Sequence, residues 1–200
     1  TDVRQNYSRK IDQTPVFTMT SIQLTSKDGI KRLNGINLEI FSGEILGVAG
    51  VAGNGQRELA ESVVGVVPIT EGRIILDETD ISHISNQDLF RMGVAYIPED
   101  RLHDGFLPKA NVAQNLILGH HRNLPYSNGL FINWGVVFNE SRKFIREYNI
   151  KTSGPEDIGG NLSGGNIQRV LIARAFSMPS KLMVAHNPTR GLDIPSMDFV

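Results

Sequence analysis

The sequence has no cysteine, no long apolar run and no surplus of basic charge. Without cysteine it forms no disulfides, which fits a reducing compartment. No apolar stretch approaches the roughly 20 residues that a membrane-spanning helix needs, so we expect any role at a membrane to come through partner proteins. The formal net charge of -1 offers no basic excess to attract nucleic acid, and we expect no nucleic-acid partner.

Composition favours a single globular domain. Two hundred residues with 40% hydrophobic content can bury one substantial core and are too few for two large ones. Residues 1–15 are polar and lack periodicity, which predicts a linker or a short N-terminal arm. We therefore expect the folded domain to span residues 16–200.

A glycine-rich loop lies between an apolar segment and a helical pattern. Ile45, Leu46 and Val48 are predicted to form a short buried strand, and Glu58 begins the helical pattern. Such a loop directs backbone N–H groups and a helix N-terminus at an anion, and glycines leave room for its approach. The residues predicted to bind a nucleotide phosphate are Gly50, Gly53, Asn54, Gly55, Gln56 and Arg57.

The side chains at the end of this loop depart from the phosphate-loop pattern G-x-x-x-x-G-K-[ST]. Gln56 stands where the lysine belongs, and Arg57 stands where the magnesium-binding hydroxyl belongs. Two alternatives stay open. Arg57 and the backbone donors could hold a nucleotide weakly and without metal, or the loop is empty or occupied by a simple anion.

The remaining pattern predicts an α/β fold with a mixed sheet and flanking helices. Buried strands at Val94–Ile97 and at residues 181–185 deliver polar side chains to strand ends, where ligands bind in open α/β sheets. Residues 107–150 have helical periodicity, interrupted by a loop at residues 122–133 that is rich in Asn, Gly and Pro. We therefore expect a small all-helical subdomain at about residues 102–160.

Three motifs together resemble the nucleotide-binding domains of ABC transporters from Val16 onward. They are Leu162-Ser163-Gly164-Gly165 followed by Gln168, the glycine-rich loop, and Pro188-Thr189-Arg190-Gly191-Leu192-Asp193. The resemblance implies a P-loop ABC-ATPase core. Because the family's switch histidine and closing strands would lie past Val200, it also implies a domain truncated at its C-terminus.

Two segments resemble one particular group within this family. Tyr96-Ile97-Pro98-Glu99-Asp100-Arg101 and Asn161-Leu162-Ser163-Gly164-Gly165-Asn166 look like the second half of the tandem ATPases of sugar and nucleoside importers. By this resemblance the family's magnesium-ligand aspartate and catalytic glutamate are His186 and Asn187, and its metal-sensing glutamine is Glu99. The resemblance therefore implies no competent catalytic residue, no metal site and no magnesium in this domain's own site, with ATP binding weak if it occurs.

The same resemblance implies a role in a partner's site. The residues expected to act there, as the signature motif, are Leu162, Ser163, Gly164, Gly165, Asn166 and Gln168, with Asp193 as the D-loop residue. The implied partners are a second ABC ATPase domain, in tandem or as a dimer, and transmembrane permease subunits. The implied location is cytoplasmic, peripheral at the inner face of the cell membrane. The alternative is a soluble ABC-like ATPase domain that is regulatory or associated with nucleic acid.

Three further features allow two interpretations each. His120 and His121 suggest a metal site, although histidines near a helix C-terminus are usually dipole partners. The spacing of Phe106 and Leu107 favours subdomain core, whereas the family favours a groove for a transmembrane subunit. Glu99 is either a solvated strand-end carboxylate or part of a site, and the solvated interpretation is preferred.

Overall fold

The computed structural model describes residues 14–200, which form two compact units divided between Ser85 and Asn86. Most of the predicted linker, residues 1–13, lies outside the described residues. Within the described range, no helix has the length and apolarity needed to cross a membrane.

The first unit is built on an antiparallel sheet. Its strands are β1 (Phe17–Thr25), β2 (Lys31–Ile40), β3 (Glu71–Leu76) and β4 (Thr79–Asp80), in the order β2-β1-β3-β4. Phe17 and Met19 alternate with partly exposed Thr18 and are buried, as the period-2 pattern of a half-buried strand requires. Between β1 and β2 the chain turns at Gly29, whose φ of 79° is the left-handed conformation that glycine tolerates.

Helix α1 (Gln56–Val63) follows the glycine-rich loop, as predicted. Gly55 is its N-terminal flanking residue and has a φ of 96°. A Cβ at Gly55 would lie 2.6 Å from the carbonyl oxygen of Arg32, so only glycine lets the start of the helix approach β2 this closely. Ala60 and Val63 bury one face of the helix.

The predicted strand before the loop is not formed. Residues 45–48 are irregular, and their apolar side chains are exposed, Ile45 at 94% and Val48 at 57%. A strand is stable only when a neighbouring strand completes its backbone hydrogen bonds. None of the strand pairings among residues 14–200 includes this segment, so its apolar sequence alone does not make it a strand.

The second unit has a parallel pair of strands. Strand β5 (Val94–Ile97) pairs with β6 (Leu182–Ala185), with Ile97 opposite Ala185. Helix α2 (Asn86–Arg91) precedes β5, and Gly93 between them has a φ of 93°. The described strands thus form one antiparallel and one parallel sheet rather than a single mixed sheet, within the expected α/β class.

The helical part of the second unit begins with a π-turn at Arg101–Gly105. It continues with α3 (Val112–Leu116), α4 (Trp134–Glu147), a 3-10 turn (Gly159–Asn161), α5 (Gly164–Phe176) and α6 (Ile194–Phe199). The expected helical stretch at residues 107–150 contains α3 and α4. The loop at residues 122–133 separates them, as predicted.

Phe106 lies in the apolar core that α5 forms with α3, together with Val112, Leu116, Val170 and Leu171. This agrees with the spacing-based interpretation of Phe106 as core. Leu107 differs, because 48% of its surface is exposed.

Asn115 is a polar residue at the centre of this core, with 0% of its surface exposed. Its Oδ1 accepts a hydrogen bond from Leu107 N at 2.8 Å, and its Nδ2 donates to the carbonyls of Leu107 and Asn111, each at 3.0 Å. The side chain therefore takes the place of backbone partners for the segment that leads into α3.

We expect Asn115→Ala to lower the free energy of unfolding by about 2–4 kcal/mol, because it removes three hydrogen bonds made by a fully buried side chain. Urea denaturation of the two proteins measures the difference. The control is Asn139→Ala on the exposed face of α4, which should change stability by less than about 0.5 kcal/mol. Equal effects of the two substitutions would show that Asn115 is not a structural centre.

Candidate functional site

The glycine-rich loop closes around the carbonyl oxygen of Val51. That oxygen accepts a hydrogen bond from Asn54 N at 3.2 Å and from Gln56 Nε2 at 3.0 Å. The Gln56 amide also lies against Gly50, in the space where a side chain at Gly50 would be. Gln56 therefore spans the loop, and its side chain stabilises the loop conformation.

Arg57 is engaged one turn further along α1. Its Nε lies 2.6 Å from Glu61 Oε1, in an i,i+4 ion pair. To bind a phosphate through Nε, Arg57 would have to leave this pair. Gly53 has a φ of 88° and open space where a Cβ would project, so the backbone remains approachable. The loop therefore keeps exposed backbone without side-chain obstruction at Gly53, which an anion can approach.

Four polar side chains meet where β5 and β6 end, and we call them the strand-end cluster: Glu99, His186, Asn187 and Arg190. Glu99 Oε1 accepts a hydrogen bond from Asn187 Nδ2 at 2.8 Å and lies 2.7 Å from Arg190 Nη1. His186 Nε2 is 3.9 Å from Glu99 Oε2. The interpretation of Glu99 as a merely solvated carboxylate is therefore wrong.

The surroundings of Glu99 favour its charged form. The hydrogen bond from Asn187, followed by that from Arg190, holds the pKa of Glu99 below its usual value, against an opposing effect of burial. Its side chain is 21% exposed. The carboxylate is therefore already neutralised by groups of its own chain.

This cluster does not suit magnesium. Magnesium prefers several oxygen ligands in octahedral geometry. The cluster offers one carboxylate, whose Oε1 is shared by Asn187 and Arg190, and it adds a guanidinium and an imidazole. Within the described range, no three His, Asp or Glu side chains are grouped as a metal site would require.

The signature turn, Leu162-Ser163-Gly164-Gly165-Asn166, starts helix α5. Leu162 is buried and anchors the turn in the core, while Ser163 and Gly164 are exposed. Ser163 is the N-cap, and its side chain accepts from Asn166 N. The backbone at Gly164 and the Ser163 hydroxyl are thus presented at the surface at the N-terminus of a helix, which is an arrangement that binds anions.

Gln168 and Gly165 are placed differently from the rest of the motif. Gln168 is 1% exposed, so it faces the interior and does not reach a surface that a partner could contact. A Cβ at Gly165 would lie 2.5 Å from Ser196 Oγ, so α6 of the same chain covers this glycine. Asp193 caps α6 through Ser196 N at 3.1 Å, and hydrogen bonds from Ser196 lower the pKa of Asp193.

Arg101 is a functional candidate that the sequence analysis did not select. Its Nη2 is 3.9 Å from the position of a Cβ on Gly164 and 3.5 Å from that on Gly191. Its Nη1 is buried without a hydrogen-bond partner in residues 14–200. A Cβ at Gly105 would lie 3.3 Å from Leu171 Cδ1, so the glycine lets the π-turn pack directly against α5. This packing holds Arg101 beside the signature turn. The sequence feature that could have identified Arg101 is its position as a basic residue shortly after the buried strand β5.

His120 is buried rather than exposed at a helix end. Its ring lies 4.3 Å from that of Phe90, centroid to centroid. Burial, with a smaller effect of Arg174, lowers its pKa to about 4. The neutral imidazole therefore behaves as an aromatic packing residue, and the dipole-partner interpretation is wrong.

We expect Glu99→Gln to lose stability at neutral pH and to lose little at low pH. A carboxylate whose pKa is lowered in the folded state stabilises above its unfolded value of 4.5, and this contribution disappears as the pH falls through the folded-state pKa. Urea denaturation of both proteins between pH 7 and pH 3 measures the difference. A difference that does not shrink on acidification would contradict the ion pair with Arg190.

Comparisons with known proteins agree with the motifs. The ABC transporter family profile matches residues 33–190. The chain is 30% identical over 185 residues to the nucleoside import ATP-binding protein NupA of Lactococcus lactis, covering 92% of this chain and 37% of that protein. It is 32% identical over 185 residues to the guanosine import ATP-binding protein NupO of Bacillus subtilis, covering 92% and 36%.

A glucose import ATP-binding protein, TsgD13 of Haloferax volcanii, is 30% identical over 190 residues, covering 93% of this chain and 34% of that protein. The chain thus spans about a third of the length of the curated relatives it matches. Among solved structures, the dimeric ATP-binding cassette MJ0796 with ADP and Pi has a TM-score of 0.77 at 20% identity, covering 92% of this chain and 78% of that one.

The fold, the glycine-rich loop, the signature turn and the matched family profile lead to one assignment. The chain belongs to the ABC transporter family and is an ATP-binding domain homologous to nucleoside and sugar import ATP-binding proteins.

Proposed function

We propose that this domain belongs to an importer of sugars or nucleosides and completes the ATP site of a second ABC domain instead of hydrolysing ATP in its own. The observation that carries the proposal is the contrast between its two phosphate-facing elements. The side chains of Gln56 and Arg57 make contacts within the chain, whereas the signature turn presents the Ser163 hydroxyl and the start of helix α5 at the surface. Only the second arrangement is ready to bind a phosphate presented from outside.

Three side chains argue against hydrolysis in the domain's own site. Gln56 is neutral where a lysine would stabilise the transferring phosphoryl group, and one lost donor typically costs about 10²–10³ in rate. Asn187 cannot accept a proton from attacking water, and a positioned base is worth about 10²–10⁴. Arg190 neutralises the strand-end cluster's only carboxylate, so the residues here do not hold magnesium.

The signature turn has the complementary properties. Ser163 and Gly164 are exposed at the N-terminus of a 13-residue helix, whose partial positive charge favours anions. Arg101 adds a full positive charge beside Gly164, and its Nη1 lacks a hydrogen-bond partner in the described part of the chain. The charge of this guanidinium strengthens the attraction of the turn for a phosphate.

The proposal implies two kinds of partner. A second ABC domain, in tandem or as a separate chain, supplies the nucleotide that the signature turn contacts. Transmembrane permease subunits place the assembly at the cytoplasmic face of the cell membrane. The other candidate, a soluble regulatory or nucleic-acid-associated ATPase, has less support because the chain's net charge is -1 and its own loop lacks the lysine.

We expect Gly164→Glu to reduce ATP hydrolysis by at least about 10²-fold in the full-length protein assembled with its partners. The substitution places a negative charge and bulk in open space that faces the phosphate. Gln56→Ala should reduce hydrolysis less than about threefold, and Asn139→Glu, on exposed α4, is the charge control. Phosphate release at saturating ATP is the measurement. The opposite ranking of Gly164 and Gln56 would make this the hydrolytic domain.

The Arg57 ion pair gives a separate prediction for nucleotide binding by the isolated domain. Glu61→Gln should tighten any ATP binding by removing one partner of Arg57, Arg57→Ala should weaken it, and chelating magnesium should change neither. Isothermal titration calorimetry measures all three. Binding that requires magnesium would contradict the proposed use of Arg57, and no binding would favour the empty-loop alternative.

A further inference from the structure

The side-chain amide of Asn166 has an orientation fixed by its partners. Its Oδ1 accepts a hydrogen bond from Lys151 N at 2.8 Å. A backbone N–H can only donate, so the oxygen of the amide must face Lys151, and the nitrogen must face the other way. That nitrogen, Nδ2, lies 2.8 Å from Ser163 Oγ.

This orientation decides what the Ser163 hydroxyl can do. The hydroxyl oxygen accepts from Asn166 Nδ2 and also, at 3.4 Å, from Asn166 N. A hydroxyl has two acceptor lone pairs and one proton to donate. With both lone pairs facing donors, the proton has to point away from Asn166, and Ser163 is an exposed residue.

The orientation is anchored in the core. Lys151 directly follows Ile150, which is buried with Leu162, Ile167 and Phe106 in one apolar cluster. The backbone N–H that holds the Asn166 oxygen is therefore held in place by the packing of that cluster. Side chains without such an anchor lose orientation to rotamer freedom.

We propose that Asn166 is a positioning residue, which makes Ser163 a hydrogen-bond donor directed at a phosphate oxygen of a nucleotide held by the second ABC domain. This inference rests on the proposed function. A terminal phosphate oxygen accepts hydrogen bonds and donates none at neutral pH, so only a serine with an outward proton suits it. Asn166 itself acts through Ser163 and does not touch the nucleotide.

The amide chemistry of Asn166 is required for this role. An aspartate of the same shape would still accept from Lys151 N, but it would present a second acceptor to Ser163 in place of Nδ2. The Ser163 proton would then turn inward to the carboxylate, because a charge-assisted hydrogen bond is the stronger one. Asn166→Asp therefore reverses the direction of the hydroxyl and leaves its position unchanged.

A double-mutant cycle on the full-length protein, assembled with its partners, tests the inference. The variants are Asn166→Asp, Ser163→Ala and the double variant, and the readout is kcat and KM for ATP. We expect Ser163→Ala to lower kcat about 10²-fold or more, with little change in KM, since the partner's own loop binds the nucleotide. We expect Asn166→Asp to lower kcat at least about 50-fold.

Asn166→Asp is compared in the presence and in the absence of the Ser163 hydroxyl. This comparison separates the effect of the hydroxyl's direction from the effect of the added charge. In the Ser163→Ala background, Asn166→Asp should cost only a few-fold, so the two fold-losses should differ by at least about tenfold. Equal fold-losses in both backgrounds would overturn the inference. If Ser163→Ala alone left kcat unchanged, the proposed function itself would be wrong.

Two controls complete the design. Asn139→Asp makes the same chemical change on exposed α4 and should leave kcat and KM unchanged. Should Asn166→Asp fail to assemble, the same cycle with Asn166→Ala tests the coupling without adding charge. A loss of kcat on Asn166→Ala that persists undiminished in the Ser163→Ala background would equally overturn the inference.

Discussion

The burial of helix α5 on two sides is the constraint on which the polar features of the second unit depend. Val170, Leu171 and Ala173 pack into the cluster that contains Phe106, and Ile172 packs against the strand β5. Full burial of a side chain the size of Val, Leu or Ile contributes about 1.5–3 kcal/mol. Because the signature turn begins this helix and the π-turn with Arg101 rests on it, apolar packing sets the positions of the donors at the surface.

The two phosphate-facing elements differ in how their polar groups are used. In the glycine-rich loop, Gln56 bridges the loop and Arg57 pairs with Glu61, so both side chains are satisfied within the chain. In the strand-end cluster, Arg190 supplies beside Glu99 the positive charge that a metal ion would otherwise supply. Because Arg190 balances the charge of Glu99, the ends of β5 and β6 can stay together without a metal ion.

Much of the fold could be predicted where local pattern and long-range packing agree. The strand β5 has the predicted bounds, and the signature turn opens a helix as predicted, because serine is a favoured N-cap residue. The segment at residues 45–48 could not be predicted, since a strand depends on a partner that periodicity does not identify. Arg101, Asn115 and His120 were missed or misread because their roles arise from neighbours distant in the sequence.

Gly164 and Gly165 show why the two glycines of the signature turn are not equivalent. Ser196 of α6 lies where a side chain on Gly165 would project, so any larger residue there disturbs the chain's own packing. A loss of activity on changing Gly165 would therefore not distinguish a contact with a partner's nucleotide from a displaced α6. Gly164 has open space apart from Arg101, whose Nη2 is 3.9 Å away. Ser163, Gly164 and Arg101 are therefore the residues through which the proposed role of the turn in a partner's site is best tested, and Gly165 serves first to let α6 pack against the turn.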